Sequence, residues 1–316
     1  MRFLPLLVLL AACGGDKSDD SASTGGTDGT TSDTPLASSY IFDSDDLFPE
    51  GIAWSDAERA FFVGSLTRGS IVRVDVDGTQ TEVYAPASGT WMSLGMKVDE
   101  SRGELLVCSI EDYGSASAQS VFQRFSVADG SLLEALALEP GAVCNDVAFA
   151  ADGRAFLTER EGPRVWTVPP EGGVVEVLVE DPLLEPVAIG CNGIVLPDAD
   201  HLLVGKYSPA TLLRISLADP TDIHEVTLSG DGLGTIPDGA DGMFLDGDTL
   251  LVAANSQWFT VESSDGWETA TTTAHTPSSA IAAVTVAEGR RFGLKGEVVP
   301  FVIGLDVSLP FEILEL

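Results

Sequence analysis

The chain has 316 residues, 44% of them hydrophobic, and carries 49 acidic against 16 basic side chains for a formal charge of −33. So negative a surface repels phosphate backbones and anionic lipid head groups, which excludes nucleic-acid binding. The apolar content is ample for one large core, and all-β folds of this length are often single domains.

Met1-Arg2 and the apolar run over residues 3–10 read as an export signal too short to span a bilayer. The run ends in Leu10-Ala11-Ala12-Cys13 and turns polar at once. This resembles a bacterial lipoprotein signal, with residues 1–12 removed and Cys13 lipidated. Several acyl chains on one cysteine anchor firmly, since each buried methylene contributes about 0.8 kcal/mol. Gly14 after the cysteine implies an outer-membrane or surface place in the bacterial cell envelope. Residues 13–39, rich in Ser, Thr, Gly and Asp, cannot bury enough surface to offset ordering entropy and are expected to form a tether. The folded domain is expected over 40–316. Either Tyr40-Ile41-Phe42 or residues 311–316 supply the strand that closes it.

From Phe48 the chain becomes periodic. A strand over 48–54, a turn at 56–59, strands over 61–63 and 71–74, and the turn Asp75-Val76-Asp77-Gly78 before 80–84 make one unit. Similar units open at Glu50-Gly51-Ile52, Leu94-Gly95-Met96, Asn145-Asp146-Val147, Asn192-Gly193-Ile194, Asp241-Gly242-Met243 and, weakly, Ala283-Val284-Thr285. Short apolar runs bounded by Asp-Gly-type turns are strand signals. A repeat of roughly 40–50 residues with about four short strands is the signature of a propeller blade. The expected fold is all-β: a six-bladed β-propeller, each blade a four-stranded antiparallel sheet. The sixth unit is degraded, with strands over 284–287, 291–294 and 298–303. No long amphipathic helix is visible.

Equivalent positions of aligned repeats project toward one mouth of the central channel. Here they are Glu50, Leu94, Asn145, Asn192, Asp241 and Ala283. Four of the six carry oxygen donors, and none is histidine or cysteine. Such a set suits one hard divalent cation, most naturally calcium, with zinc or magnesium as alternatives.

Pro49-Glu50-Gly51, Asn145-Asp146, Cys191-Asn192-Gly193-Ile194 and Ala240-Asp241-Gly242-Met243 resemble the senescence-marker-protein/gluconolactonase/luciferin-regenerating-enzyme-like, or regucalcin-like, family of six-bladed propellers. The resemblance rests on blade openings and turns over about residues 45–300. It implies Glu50, Asn192 and Asp241 as ligands of one divalent metal, and Asn145 as a ligand or substrate contact. It further implies metal-assisted hydrolysis of a lactone or related ester, with a carboxylate taking the proton of the attacking water. Asp241 is assigned that role; Asp238 and Asp146 stand close by in sequence. Sugar-lactonase members carry a substrate-binding arginine two residues before the Asn145 position, where this chain has Val143. A less polar lactone or ester is therefore the expected small-molecule substrate. The alternative is a non-catalytic propeller whose metal staples the blades and helps hold a small ligand or a protein partner.

The remaining signals are weaker. A histidine-dyad chemistry does not fit His201 in a turn, His224 on an outer strand or His275 between blades. Of Cys108, Cys144 and Cys191, the last two each precede a ligand asparagine. A disulfide joining them would pin the site, although register-equivalent positions on adjacent blades sit far apart and buried free thiols are the simpler expectation. Trp91, just before an opening, is the best aromatic candidate for a substrate pocket; Trp54 and Trp166 fit packing between blades. Lys97, Glu111, Asp112, Tyr113 and Lys206 are expected as solvated rim residues.

Overall fold

A computed structural model describes residues 34–87, 89–234 and 239–316. Six separate sheets follow the expected period. Blade one is Pro49–Ser55, Ala60–Ser65, Ile71–Asp75 and Gln80–Tyr84; blade two is Trp91–Asp99, Glu104–Glu111, Gln119–Ser126 and Leu132–Ala137. Blade three is Cys144–Phe149, Ala155–Glu159, Arg164–Val168 and Glu176–Glu180. Blade four is Cys191–Val195, His201–Lys206, Thr211–Ser216 and Ile223–Glu225. The first strand of every blade touches the first strand of the next, and blade six returns to blade one. The ring is closed.

Blade five departs from the four-strand expectation. Its antiparallel strands Met243–Asp246, Thr249–Ala254, Gln257–Glu262 and Thr269–His275 gain a fifth, Thr227–Gly230, which runs parallel to the outermost of them. Blade six settles the closure by using both candidates. Ala283–Ala287 and Arg290–Lys295 pair in order, Glu312–Glu315 comes third, and Ser39–Ile41 lies outermost. The last pairing is antiparallel, with Tyr40 opposite Ile313. Tyr40, Phe42 and Phe311 join Phe61 and Phe292 in one buried cluster, with the Tyr40 and Phe61 rings 5.5 Å apart, edge to face. The N-terminal chain is therefore structural earlier than residue 40: Leu36 is already buried in the same cluster.

Residues 298–303, expected as a strand, are a helix, Val298–Ile303. Their β-branched composition suits a strand, but the edge beside Arg290–Lys295 is already occupied by Glu312–Glu315. The segment instead coils between Glu297 and Gly304, both left-handed, with Pro300 in the first turn where its missing N–H costs nothing. The Phe301 ring packs on Phe48, centroids 4.1 Å apart, so the helix leans over one mouth of the ring.

The cysteines pair across blades, but not as the repeat suggested. Cys108, on the second strand of blade two, bonds Cys144, the first residue of blade three, with Cα atoms 5.4 Å apart. Cys191 is a buried free thiol whose pKa burial pushes up to about 12, which makes it unreactive.

Candidate functional site

The opening residues owe their direction to a repeated irregularity. In blades one to four the first strand slips register at the opening: between Pro49 and Ile52, Ser93 and Met96, Cys144 and Val147, and Cys191 and Ile194. A bulge there turns the opening side chain out of the sheet alternation and toward the axis. The glycine that follows permits the next blade to come close. A Cβ on Gly51 would strike the Leu94 carbonyl, one on Gly193 the Asp241 carbonyl, and one on Gly242 the Ala283 backbone. Each opening is thus seated against the opening of the following blade.

Blade three breaks the pattern with Asp146 where its neighbours carry glycine. Its carboxylate enters the channel, accepts the Ile194 N–H at 3.3 Å and meets the Lys97 ammonium at 3.4 Å. Lys97, expected at a solvated rim, is mostly buried. Burial raises the Asp146 pKa, with Lys97 opposing.

Two connected spaces meet at the axis. The outer one, about 230 Å³, is walled by apolar side chains including Leu66, Leu94, Ile110, Val143 and Phe301. The inner one, about 20 Å³, is lined by Lys97, Asn145 and Asp146. Glu50, Asn192 and Asp241 line both and so form the neck between them. Asn145 donates from its amide nitrogen to the Asn192 side-chain oxygen, while its own oxygen is buried without a partner. Asn192 in turn hydrogen-bonds Asp241, and Thr158 holds the Asn192 carbonyl at 2.5 Å.

Electrostatically the neck is strained in the way a cation relieves. Burial, then Asp241 and Asp146, push the Glu50 pKa well above the usual carboxylate range. Asp241 is pushed up to about 7 by burial, against the lowering effects of Arg160 and the Asn192 hydrogen bond. Two carboxylates and two amides, one of them with its oxygen orphaned, fit a hard divalent ion. The amides are essential to that fit. No group of three or more His, Cys, Asp or Glu side chains placed to hold a metal occurs among the described residues.

Of the residues singled out in the sequence, Glu50, Asn145, Asn192 and Asp241 converge, and Leu94 contributes wall. Trp91 does not line the cavity; it opens the first strand of blade two and packs beside Gly69. Asp238 and Cys13 lie outside the described residues. Lys206, expected at the rim, is buried and donates to the carbonyls of Leu183 and Glu185. None of the three histidines lines the cavity; His275 ends an outer strand of blade five, stacked on Trp258.

Sequence reasoning missed Arg160 and underrated Tyr113; both line the outer cavity. Arg160 follows the second strand of blade three and its N–H donates to the carbonyl of Val143 at 2.9 Å. A cation therefore stands beside the very position whose lack of arginine had suggested a site without one. Nothing in the local sequence Glu159-Arg160-Glu161 marks it, because only the ring brings that loop to the axis.

No family model and no curated protein sequence matches the chain. Solved structures are similar to it. The major allergen Mala s 1 of Malassezia sympodialis superposes with a TM-score of 0.68 at 14% identity, covering 89% of this chain and 96% of the allergen. A calcium-binding regucalcin of Agrobacterium tumefaciens gives 0.61 at 16% identity over 89% and 95% of the two chains. A gluconolactonase of Xanthomonas campestris gives 0.57 at 20% identity over 77% and 81%. At these identities the likeness is one of fold: the chain is a six-bladed β-propeller whose structural neighbours include gluconolactonase and regucalcin propellers.

Proposed function

We propose that the chain is a metal-dependent hydrolase of lactones or related esters, with calcium as its cation. The observation that carries this reading is the neck, where Glu50, Asn192 and Asp241 stand between an apolar cavity and a narrow inner channel that Lys97 and Asp146 also line, with Asn145 beside them. A divalent ion bound there supplies polarisation of a carbonyl oxygen and acidification of water. Glu50, Asn192 and Asp241 would hold it, with Asn145 as a fourth oxygen donor or a contact to substrate. The apolar wall holds the body of the substrate and excludes bulk water. Asp241, which lines both the cavity and the inner channel, would accept the proton of the attacking water. Asp146 is a weaker candidate for that base, because Lys97 already engages it and it faces the inner channel.

We also place the protein at the bacterial cell envelope through a lipid on Cys13, on the strength of Leu10-Ala11-Ala12-Cys13. Labelling with a fatty-acid analogue that Cys13→Ser abolishes tests this; labelling that persists in the variant refutes it.

The test of the activity is hydrolysis of a lactone panel by the folded chain, in calcium and in EDTA, beside melting curves. Turnover restored by calcium establishes the hydrolase. A calcium-dependent rise in Tm without turnover on any lactone favours the non-catalytic binding propeller. Indifference to calcium in both removes the neck as a metal site.

A further inference from the structure

Arg160 is set apart from most other arginines of this chain. Arg164, Arg73, Arg290 and Arg291 each hold a carboxylate at hydrogen-bond distance. Among the described residues the Arg160 guanidinium donates no such bond. Its Nε is buried and unpartnered, its ion pair with Glu161 is 3.8 Å long, and its other neighbour is the Tyr113 ring at 5.8 Å. In a chain with 49 acidic side chains, a guanidinium three-quarters buried beside the cavity, whose nearest carboxylate stands beyond hydrogen-bond distance, needs a reason.

Its charge reaches Glu50 and Asp241 across the cavity. Those carboxylates have a better use in binding a divalent ion, and once they do so Arg160 keeps only the distant Glu161 and the Tyr113 ring beside an apolar cavity. We propose that Arg160 is an anion subsite: it receives the carboxylate of a ligand whose body lies against Leu66, Ile110, Val143 and Phe301. The ligand class is an apolar carboxylic acid. If the hydrolase reading holds, the substrate is a lactone or ester that bears such a group, its carbonyl at the neck and its carboxylate at Arg160. A planar fork of N–H donors gives geometric selection for a carboxylate that a lysine would not. The chain's formal charge of −33 opposes the non-specific binding of anions, so a carboxylate held in the cavity would be held by the local Arg160 charge against that field.

The assignment rests on the hydrolase reading only for where the ester sits, so binding tests it separately. Octanoate and the neutral 1-octanol are titrated into the folded chain by calorimetry, in calcium and in EDTA, with Arg160→Met, Arg160→Gln and Arg160→Lys alongside and melting curves confirming folding. The wild-type chain is expected to prefer octanoate. Its octanoate-to-octanol affinity ratio should fall about tenfold or more in both neutral variants, the scale of a charge-assisted hydrogen bond, and less in Arg160→Lys. An unchanged ratio in whichever neutral variant folds overturns the proposal. So does octanoate binding that EDTA abolishes and the substitutions leave alone, which would assign the carboxylate to the cation. A lactone panel without turnover, beside intact octanoate selectivity, would remove the hydrolase and keep the anion subsite.

Discussion

The neck and the ring closure use opposite physics within one fold. At the closure, Tyr40, Phe42, Phe61, Phe292 and Phe311 bury aromatic surface around a strand pair drawn from the two ends of the chain. Each contact there lowers the energy of the folded state. At the neck, Glu50, Asp241 and Asp146 are buried near one another, and their raised pKa values record the cost. The bulges and glycines that hold them are part of the same cost. Stability lives in the buried interfaces between blades, while the candidate site occupies a place the rest of the fold must hold in a less favourable state.

Substitutions should therefore separate the two regions. Asp241→Asn, the largest expected effect, should lower turnover by about 10²–10⁴-fold, the usual worth of a positioned base, while the metal-free Tm holds or rises because a buried repulsion is gone. A parallel loss of Tm and rate would mean that Asp241 is structural. Phe61→Ala should do the reverse. About 3–5 kcal/mol of stability should go in denaturant unfolding, with calcium affinity of the remaining folded protein unchanged.

The Cys108–Cys144 disulfide lies on the neck side of this comparison, tying blade two to blade three across a 36-residue separation, one residue before Asn145. Its removal in the Cys108→Ser, Cys144→Ser double variant should cost about 3–4 kcal/mol by the loop-entropy argument. It should also weaken calcium binding more than Phe61→Ala does. Equal calcium affinity in the two variants would show that the bond serves the fold alone.

The last contrast is a pH slope. Folded Asp241 titrates at about 7 and the unfolded carboxylate near 3.8, so between those values the metal-free folded state binds the extra proton. Stability from this group is greatest at the acid end, falls as pH rises through that window and levels above it. Melting in EDTA should show wild type losing ground to Asp241→Asn from roughly pH 4 to 7. The opposite slope would show that Arg160 and Asn192 outweigh burial.

Much of the architecture was legible because a blade is local. The turns Asp75-Val76-Asp77-Gly78 and Ala151-Asp152-Gly153 join strands adjacent in sequence, and the repeat of openings sets both blade number and the residues that face the axis. Glu50, Asn145, Asn192 and Asp241 could be named from that period alone. What lay outside was contact between inequivalent positions. Cys108 meets Cys144 because a second strand lies against the next blade's first strand, an offset that alignment of repeats does not contain. Val298–Ile303 reads locally as a strand, and only the prior claim of Glu312–Glu315 on the sheet edge makes it a helix. Lys97 finds Asp146 and Arg160 reaches the cavity only once six blades close around an axis. Amino-acid order determined the blades and the ring of oxygen donors, since both depend on short-range pattern and period. The tertiary structure alone decided the closing strand, the disulfide and the charges around the neck, since those depend on distances between segments whose sequence neighbours say nothing about one another.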